Sequence, residues 1–119
     1  MVAQENVFHS RDFWKKNPSL EQIDLAIAEG NDPSALNDNA FDAVVYALLE
    51  KTNDTTVKYL LTLDGNAIEK RTHDSRTYIF WAAYKGNVNI MKHLFDKGAV
   101  INITDSHGNT PVTFAAATG

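Results

Sequence analysis

The chain has 119 residues, of which 44% are hydrophobic, and its formal net charge at pH 7 is −4. No run approaches the ~20 apolar residues that cross a bilayer. No cluster of lysine and arginine is longer than a pair such as Lys15-Lys16, which argues against nucleic acid as a partner. Because the chain has no cysteine, disulfides, thiol catalysis and cysteine-ligated zinc are excluded.

The N-terminal segment, residues 1–17, places Phe13 and Trp14 among polar residues. Ser10 is suited to cap a short helix that runs through Lys16, because its hydroxyl can accept from an unpaired backbone N–H. We expect this segment to cover the first layer of the fold as an N-terminal cap. The alternative is an exposed docking motif.

The opening residues Val2-Ala3-Gln4-Glu5-Asn6 resemble those left around a signal-peptidase site in exported bacterial proteins. The hydrophobic signal itself is absent from the sequence. A periplasmic or secreted location and a cytoplasmic one therefore stay equally open.

Two further segments carry helical patterns. Ser19 and Gln22 form a capping box at the start of a helix that ends near Gly30. The apolar residues of 42–48 and 57–61 repeat this pattern less regularly, at spacings close to those of the segment that follows. We interpret residues 37–71 as a degenerate repeat.

The clearest unit covers residues 72–104. Thr77 is a predicted N-cap and Gly86 a stop for a helix of about two turns. A second apolar pattern at helical spacing then runs to Gly98. The sequence thus predicts helix, turn and helix, followed by a turn at 105–108 that leads into the next unit.

The end of the chain repeats this unit at a period of 33 residues. Thr77 to Gly86 aligns with Thr110 to Gly119, so that both the threonines and the glycines are 33 positions apart. A fixed period of this size predicts stacked supersecondary units that create an extended surface, without a closed pocket for chemistry.

These residues resemble the ankyrin repeat, whose pattern is roughly D-x-x-G-x-T-P-L-H-x-A-A-x-x-G with a second helix ending L-L-x-x-G-A-x-x-N. The matching positions are Asp105, Gly108, Thr110, Pro111, Ala115, Ala116 and Gly119, and in the second half Leu94, Phe95, Gly98, Ala99 and Asn102. The resemblance covers residues 19–119 and implies an all-α solenoid of stacked helix-turn-helix units with short hairpin-like loops.

With this resemblance, the whole chain is expected to form one ankyrin-repeat domain. Its predicted parts are an N-terminal cap (1–36), a degenerate repeat (37–71), a repeat (72–104) and a truncated repeat (105–119). The histidine of the T-P-L-H tetrapeptide is missing, since the sequence has Phe80 and Thr113 there. We therefore expect an apolar contact between neighbouring repeats at Phe80 and Val45.

The last repeat stops at Gly119, after its first helix. Because terminal repeats normally carry a polar cap, Val112, Phe114 and Ala115 are expected to face solvent or a second molecule. We favour a fragment of a longer array over an assembly of copies that covers this edge.

The sequence predicts no catalytic residue, no metal and no cofactor. The four histidines are scattered, and none forms an i, i+4 pair. His73 and His107 occupy near-equivalent loop tips, and we interpret them as exposed loop residues. A metal shared between them would need Asp74 or Asp105 as a further ligand.

The resemblance implies a non-catalytic module that binds a partner protein through its concave face of loop tips and first helices. Arg76, Trp81 and Tyr84 form a cluster there of the residue types that often dominate interfaces. The alternative is that Trp81 and Tyr84 only pack between repeats. A second function, from another class, is a structural element that self-associates as a homo-oligomer through the C-terminal edge. The predicted partner-binding residues are His73, Asp74, Arg76, Trp81, Tyr84, Lys85, Ser106, His107 and Asn109.

Overall fold

The computed structural model describes residues 5–118, and every regular element in that range is helical. Residues 1–4 and Gly119 lie outside this range. The interpretation of residues 2–6 as the remnant of a signal peptide and that of the last repeat as truncated depend partly on them. Short 3-10 turns occur at Val7–His9 and His73–Ser75. The helices are α1 (Arg11–Lys15), α2 (Leu20–Ala28), α3 (Ala43–Leu49), α4 (Asp54–Leu60), α5 (Tyr78–Tyr84), α6 (Val88–Asp96) and α7 (Pro111–Thr118).

The helices stack in two layers. One layer contains α1, α3, α5 and α7, each packed against the next, and in the other layer α4 packs against α6. Helix α2 is tied to α4 by a hydrogen bond from the Tyr59 hydroxyl to Asp24. This is the stack of helix-turn-helix units that the sequence predicted. Among the described residues, no helix is long and apolar enough to cross a bilayer.

The helix starts follow the predicted caps, with one exception. The Ser10 hydroxyl accepts from the Phe13 N–H, and the Ser19–Gln22 capping box is complete, with bonds of 3.1 and 2.8 Å. Thr77 is the N-cap of α5, but its side chain makes no capping bond. The expected role of the Thr77 hydroxyl was therefore wrong, although the helix begins where it was predicted.

The N-terminal segment packs onto the first layer through aromatic side chains. Phe8 and Trp14 are fully buried, and the Trp14 indole N–H donates to the Phe8 carbonyl at 2.8 Å. Phe13 meets Trp14 edge to face, with ring centroids 4.9 Å apart. The Thr52 hydroxyl of the next unit donates to the Trp14 carbonyl at 3.0 Å. Residues 7–15 thus take the place of a preceding first helix.

Neighbouring repeats share a buried polar network and one hydrophobic core. Asp42, the N-cap of α3, accepts from the Tyr78 hydroxyl at 2.6 Å and pairs with Lys70 Nζ at 2.8 Å. Burial of Tyr78, followed by the charge and hydrogen bond of Asp42, raises the pKa of this phenol well above its ordinary value. Phe80 and Val45, at the missing-histidine positions, are fully buried.

The C-terminal helix differs from the expectation at one residue. Phe114 is only 6% exposed, and its ring lies 5.6 Å from that of Trp81 and 5.5 Å from that of Tyr84. The prediction that Phe114 faces solvent was wrong, because α7 lies along α5 and turns this ring toward it. Val112 is 68% exposed, as expected for an uncovered edge.

Candidate partner-binding surface

Three equivalent loops precede the first helices α3, α5 and α7. They comprise residues 37–41, 72–76 and 105–109, and each is closed by a backbone hydrogen bond from its first residue to the carbonyl of its last, at 2.8 to 2.9 Å. In the third loop, the Asp105 carboxylate also accepts from the backbone N–H groups of His107 and Asn109, both at 2.9 Å. Each loop is therefore a small hydrogen-bonded turn and not an open connection.

Backbone hydrogen bonds also join each loop to its neighbour. The His73 N–H donates to the Ala40 carbonyl at 2.8 Å, and the Ser106 N–H donates to the Asp74 carbonyl at 2.8 Å. Arg71 also links the second loop to the residue that precedes the third, since its guanidinium donates to the carbonyls of Ser75 and Thr104. The loop tips consequently form a connected row across the stack.

Asp74 lies between the two loop-tip histidines. Its Oδ2 is 3.4 Å from His73 Nε2 and 3.1 Å from His107 Nε2, and Arg76 Nη1 approaches it at 3.4 Å. His73 Nδ1 lies 2.8 Å from the carbonyl oxygen of Asn39, so the ring is held from both sides. The structure therefore brings together the two histidines that the sequence places at near-equivalent loop tips.

This cluster does not have the geometry of a metal site. Within residues 5–118, no three histidine or carboxylate side chains are arranged to hold a metal ion. Asp105, the other carboxylate considered for such a site, is buried and paired with Arg76, whose Nε lies 2.9 Å from Asp105 Oδ2.

Arg76 and Trp81 are packed inside the fold behind the loop tips. Both are buried, and the Arg76 guanidinium lies 5.4 Å from the Trp81 ring centroid and 3.9 Å from that of Phe114. The Trp81 indole N–H donates to Thr72 Oγ1 at 2.9 Å. In the predicted cluster of Arg76, Trp81 and Tyr84, only Tyr84 offers much surface, being 39% exposed.

The surroundings of Asp105 shift its pKa. Burial acts to raise the pKa, but the backbone N–H groups of Asn109 and His107 and the Arg76 side chain outweigh it. The pKa of Asp105 therefore lies below its ordinary value, and the carboxylate remains charged at neutral pH.

The other predicted residues vary in exposure. Ser106 and His107 are exposed at the third loop, whereas His73, Asp74, Lys85 and Asn109 are partly buried. Lys85 places its ammonium group 5.8 Å from the Tyr84 ring centroid.

Sequence analysis missed Phe41 and Tyr46 as parts of this surface. Both are partly buried, and Phe41 stacks on the His73 ring at 4.8 Å while lying 5.5 Å from the Tyr46 ring. The signal was present, because Tyr46 follows its N-cap Asp42 by four residues, as Trp81 follows Thr77. Trp14 and Phe114 occupy the same position in α1 and α7, four residues after Ser10 and Thr110.

Comparison with known proteins gave one family match. The family model described as ankyrin repeats matches residues 15–105, as three copies. No curated protein matches the chain.

Proposed function

The chain belongs to the ankyrin-repeat family, and we propose that it is a non-catalytic module that binds a partner protein through its loop tips and the adjoining side of its first helices. Ankyrin repeats generally act as protein–protein interaction modules. The proposed contact residues are His73, Asp74, Tyr84, Lys85, Ser106, His107 and Asn109, with Arg76 and Trp81 supporting them from beneath.

The observation that carries this proposal is the row of joined loop tips. Because His73 and Ser106 donate their backbone N–H groups to the preceding loop, the loop backbones are already ordered before any partner binds. Association costs less when the binding surface is rigid beforehand, since fewer side chains and loops lose freedom on binding. A preorganised row of this kind suits an extended contact with a folded partner.

The side chains on the row offer directional polar contacts beside an aromatic ring. His107 and Ser106 are exposed, Asp74 adds a carboxylate, and Tyr84 supplies a partly exposed aromatic ring. Tyrosine is enriched among residues that dominate interface energetics because it combines a large contact area with a polar group. We therefore assign Tyr84 the largest single contribution.

The buried pair beneath the row has a different role in this proposal. Arg76 links the second loop to Asp105 of the third, and its guanidinium also covers the rings of Trp81 and Phe114. Replacing Arg76 or Trp81 would disturb the shape of the surface and the stability of the chain together. Tests of binding are thus better made at Tyr84, Ser106 and His107.

Site-specific photo-crosslinking tests the proposed face. A photoreactive phenylalanine analogue is placed at Ser106 or Tyr84, and at Lys92 on the exposed side of α6 as a control, and each variant is illuminated in an extract of the source cells. The proposal expects one and the same protein to be crosslinked from Ser106 and Tyr84 but not from Lys92. Crosslinking of a partner from Lys92 alone would refute the assignment of the face.

A further inference from the structure

A second row of turns lies at the opposite end of the first helices from the loop tips. These turns join each first helix to the second helix of its unit. We call them the turn edge, and they comprise residues 16–19, 50–53 and 85–87. The Asn53 N–H donates to Asn17 Oδ1, and the Asn87 side-chain amide donates to Asp54 Oδ1, both at 3.0 Å. Neighbouring turns are therefore joined to each other, as the loop tips are.

Each turn carries one lysine that has no carboxylate partner among residues 5–118. The three are Lys16, Lys51 and Lys85. Glu50, the one acidic residue of the turn edge, is bound by the Arg11 guanidinium. Asp54, which begins α4, accepts from the side-chain amides of Asn87 and Asn89 at 3.0 and 3.2 Å. With three lysines and one glutamate, the turn edge has a formal charge of +2 on a chain whose net charge is −4.

Lys51 holds a backbone conformation that disfavours a lysine. Its φ is +56°, and the equivalent residues of the other two turns, each the second after its first helix, are Asn17 and Gly86. Glycine and asparagine are the usual residues in the left-handed region, whereas a lysine there crowds its Cβ against the following carbonyl oxygen. A strained residue of this kind is a reason to look for a use of its side chain. The ammonium group of Lys51 is what a glycine in its place would not supply.

Lys51 and Lys85 line a cleft between the second and third turns. The cleft has a volume of about 270 Å³, and Gly86, Asn87 and Asp54 also line it. Drug-sized ligands occupy pockets of about 300–1,000 Å³, so this cleft suits one side chain that a larger molecule presents. Because the oxygens of Asp54 already accept from two amides, the two lysines are the groups that need a partner. An anionic side chain is therefore the matching occupant.

An acidic stretch of polypeptide fits the turn edge better than nucleic acid does. The phosphates of nucleic acid follow one another without interruption, and Glu50 and Asp54 beside the lysines would repel such a line of charge. A polypeptide can place its carboxylates at the lysines alone. Packed helices lie about 8–10 Å apart, and an extended chain covers about 10 Å in three residues. An acidic residue at every third position thus matches one lysine in each unit.

We propose that the turn edge binds an acidic segment of a partner protein, with one carboxylate between Lys51 and Lys85 and another at Lys16. The proposal goes beyond partner binding by the loop tips and does not depend on it, because the two surfaces lie at opposite ends of the first helices. Lys85 adjoins both surfaces, whereas Lys16 and Lys51 belong to the turn edge alone.

An NMR titration of the isotope-labelled chain with a peptide of repeated Glu-Gly-Ser tests the proposal. The peptide should shift the amide signals of residues 51–54 and 85–87, and added salt should weaken binding by screening the charges. Lys51→Gly and Lys85→Gln should each weaken binding about threefold or more, as expected for the loss of one part-exposed ion pair. Lys51→Gly should also keep or raise the thermal unfolding midpoint, because glycine relieves the left-handed backbone. Weaker binding by a chain of undiminished stability would separate the charge of Lys51 from any role in the fold.

The matched control is Lys97→Gln, which removes one exposed charge at the other end of α6 and should bind the peptide as the wild type does. A peptide of repeated Gln-Gly-Ser should not bind. The absence of any shift with the acidic peptide, or equal weakening in Lys97→Gln, would overturn the proposal. So would a Lys51→Gly variant that loses stability and keeps its affinity. Binding of oligothymidylate as tight as that of the acidic peptide would assign the turn edge to nucleic acid instead.

Discussion

Arg76 Nε lies 2.9 Å from Asp105 Oδ2, and both side chains are buried between the second and third loops. The two residues are 29 positions apart in the sequence. The same guanidinium lies 3.9 Å from the Phe114 ring centroid. This one side chain thus fixes the position of α7 on α5 and the alignment of the loop tips above it.

Replacing Arg76 by Ala should destabilise the fold strongly. Asp105 would be left as a buried carboxylate without its cation, a change that typically costs about 3–5 kcal/mol. Urea denaturation followed by circular dichroism measures the loss in free energy of unfolding. Lys92→Ala, which breaks an exposed ion pair with Asp96, is the control and should cost less than about 1 kcal/mol. Equal effects of the two variants would contradict the structural role of Arg76.

Acid should remove the contribution of Asp105 to stability. Because its folded-state pKa is lowered, this contribution is fully present above the unfolded-state pKa of about 3.9 and is lost as pH falls through the folded-state value. Urea midpoints measured from pH 7 down to pH 3 should fall less steeply for Asp105→Asn than for the wild type. Asp96→Asn serves as the exposed control, and its urea midpoint should fall with pH as steeply as that of the wild type. If it falls only as steeply as that of Asp105→Asn, Asp105 is not the group that causes the acid sensitivity.

Replacing Trp81 by Ala should destabilise the fold more than replacing Tyr84 by Ala does. Trp81→Ala removes a buried ring that contacts Phe41, Tyr84 and Phe114, and such truncations cost about 3–5 kcal/mol. Tyr84→Ala should cost clearly less, because the Tyr84 side chain is part-exposed. Thermal unfolding of both variants checks this order. A larger loss of stability in Tyr84→Ala would mean that the Tyr84 ring contributes more to the fold than the Trp81 ring does.

Tyr78 should resist ionisation in the folded chain. Burial and the bond to Asp42 raise the pKa of Tyr78, so its stabilising effect is full below the ordinary tyrosine pKa of about 10 and is lost as pH rises above it. Titration of phenolate absorbance near pH 11 should show fewer ionised tyrosines in the folded wild type than in the urea-unfolded chain, with Tyr59 contributing as well, because its hydrogen bond to Asp24 also raises its pKa. In Tyr78→Phe this difference should shrink; an unchanged difference would assign the resistant group to another tyrosine.

Much of the fold could be predicted because the deciding signals are local. Ser10 and Ser19 mark helix starts through hydrogen bonds within three residues, and the 33-residue period between Thr77 and Thr110 indicates the stack. These features need no knowledge of distant contacts. The domain boundaries at residues 36, 71 and 104 stay a prediction.

The inner side of α7 could not be predicted in this way. The sequence from Pro111 to Thr118 has no charged residue and no clear separation of a polar from an apolar side, so periodicity does not indicate that Phe114 faces inward. The partner of Arg76 is equally hidden, because Asp105 lies 29 residues away and becomes a neighbour only when two loops stack. Sequence reasoning therefore placed Arg76 and Trp81 on the binding face, with packing of Trp81 between repeats as the alternative, and both side chains are buried.

The central claim is that the loop tips bind a partner protein. Its most direct test is a calorimetric titration of the protein crosslinked from Ser106 and Tyr84 with three chains: the wild type, Tyr84→Ala/His107→Ala, and Lys92→Ala/Asp96→Ala. We expect the Tyr84/His107 variant to lose on the order of tenfold or more in affinity, with its helical circular dichroism retained, and the Lys92/Asp96 variant to bind as the wild type does. Unchanged affinity in the Tyr84/His107 variant, with loss in the Lys92/Asp96 variant, would contradict the account.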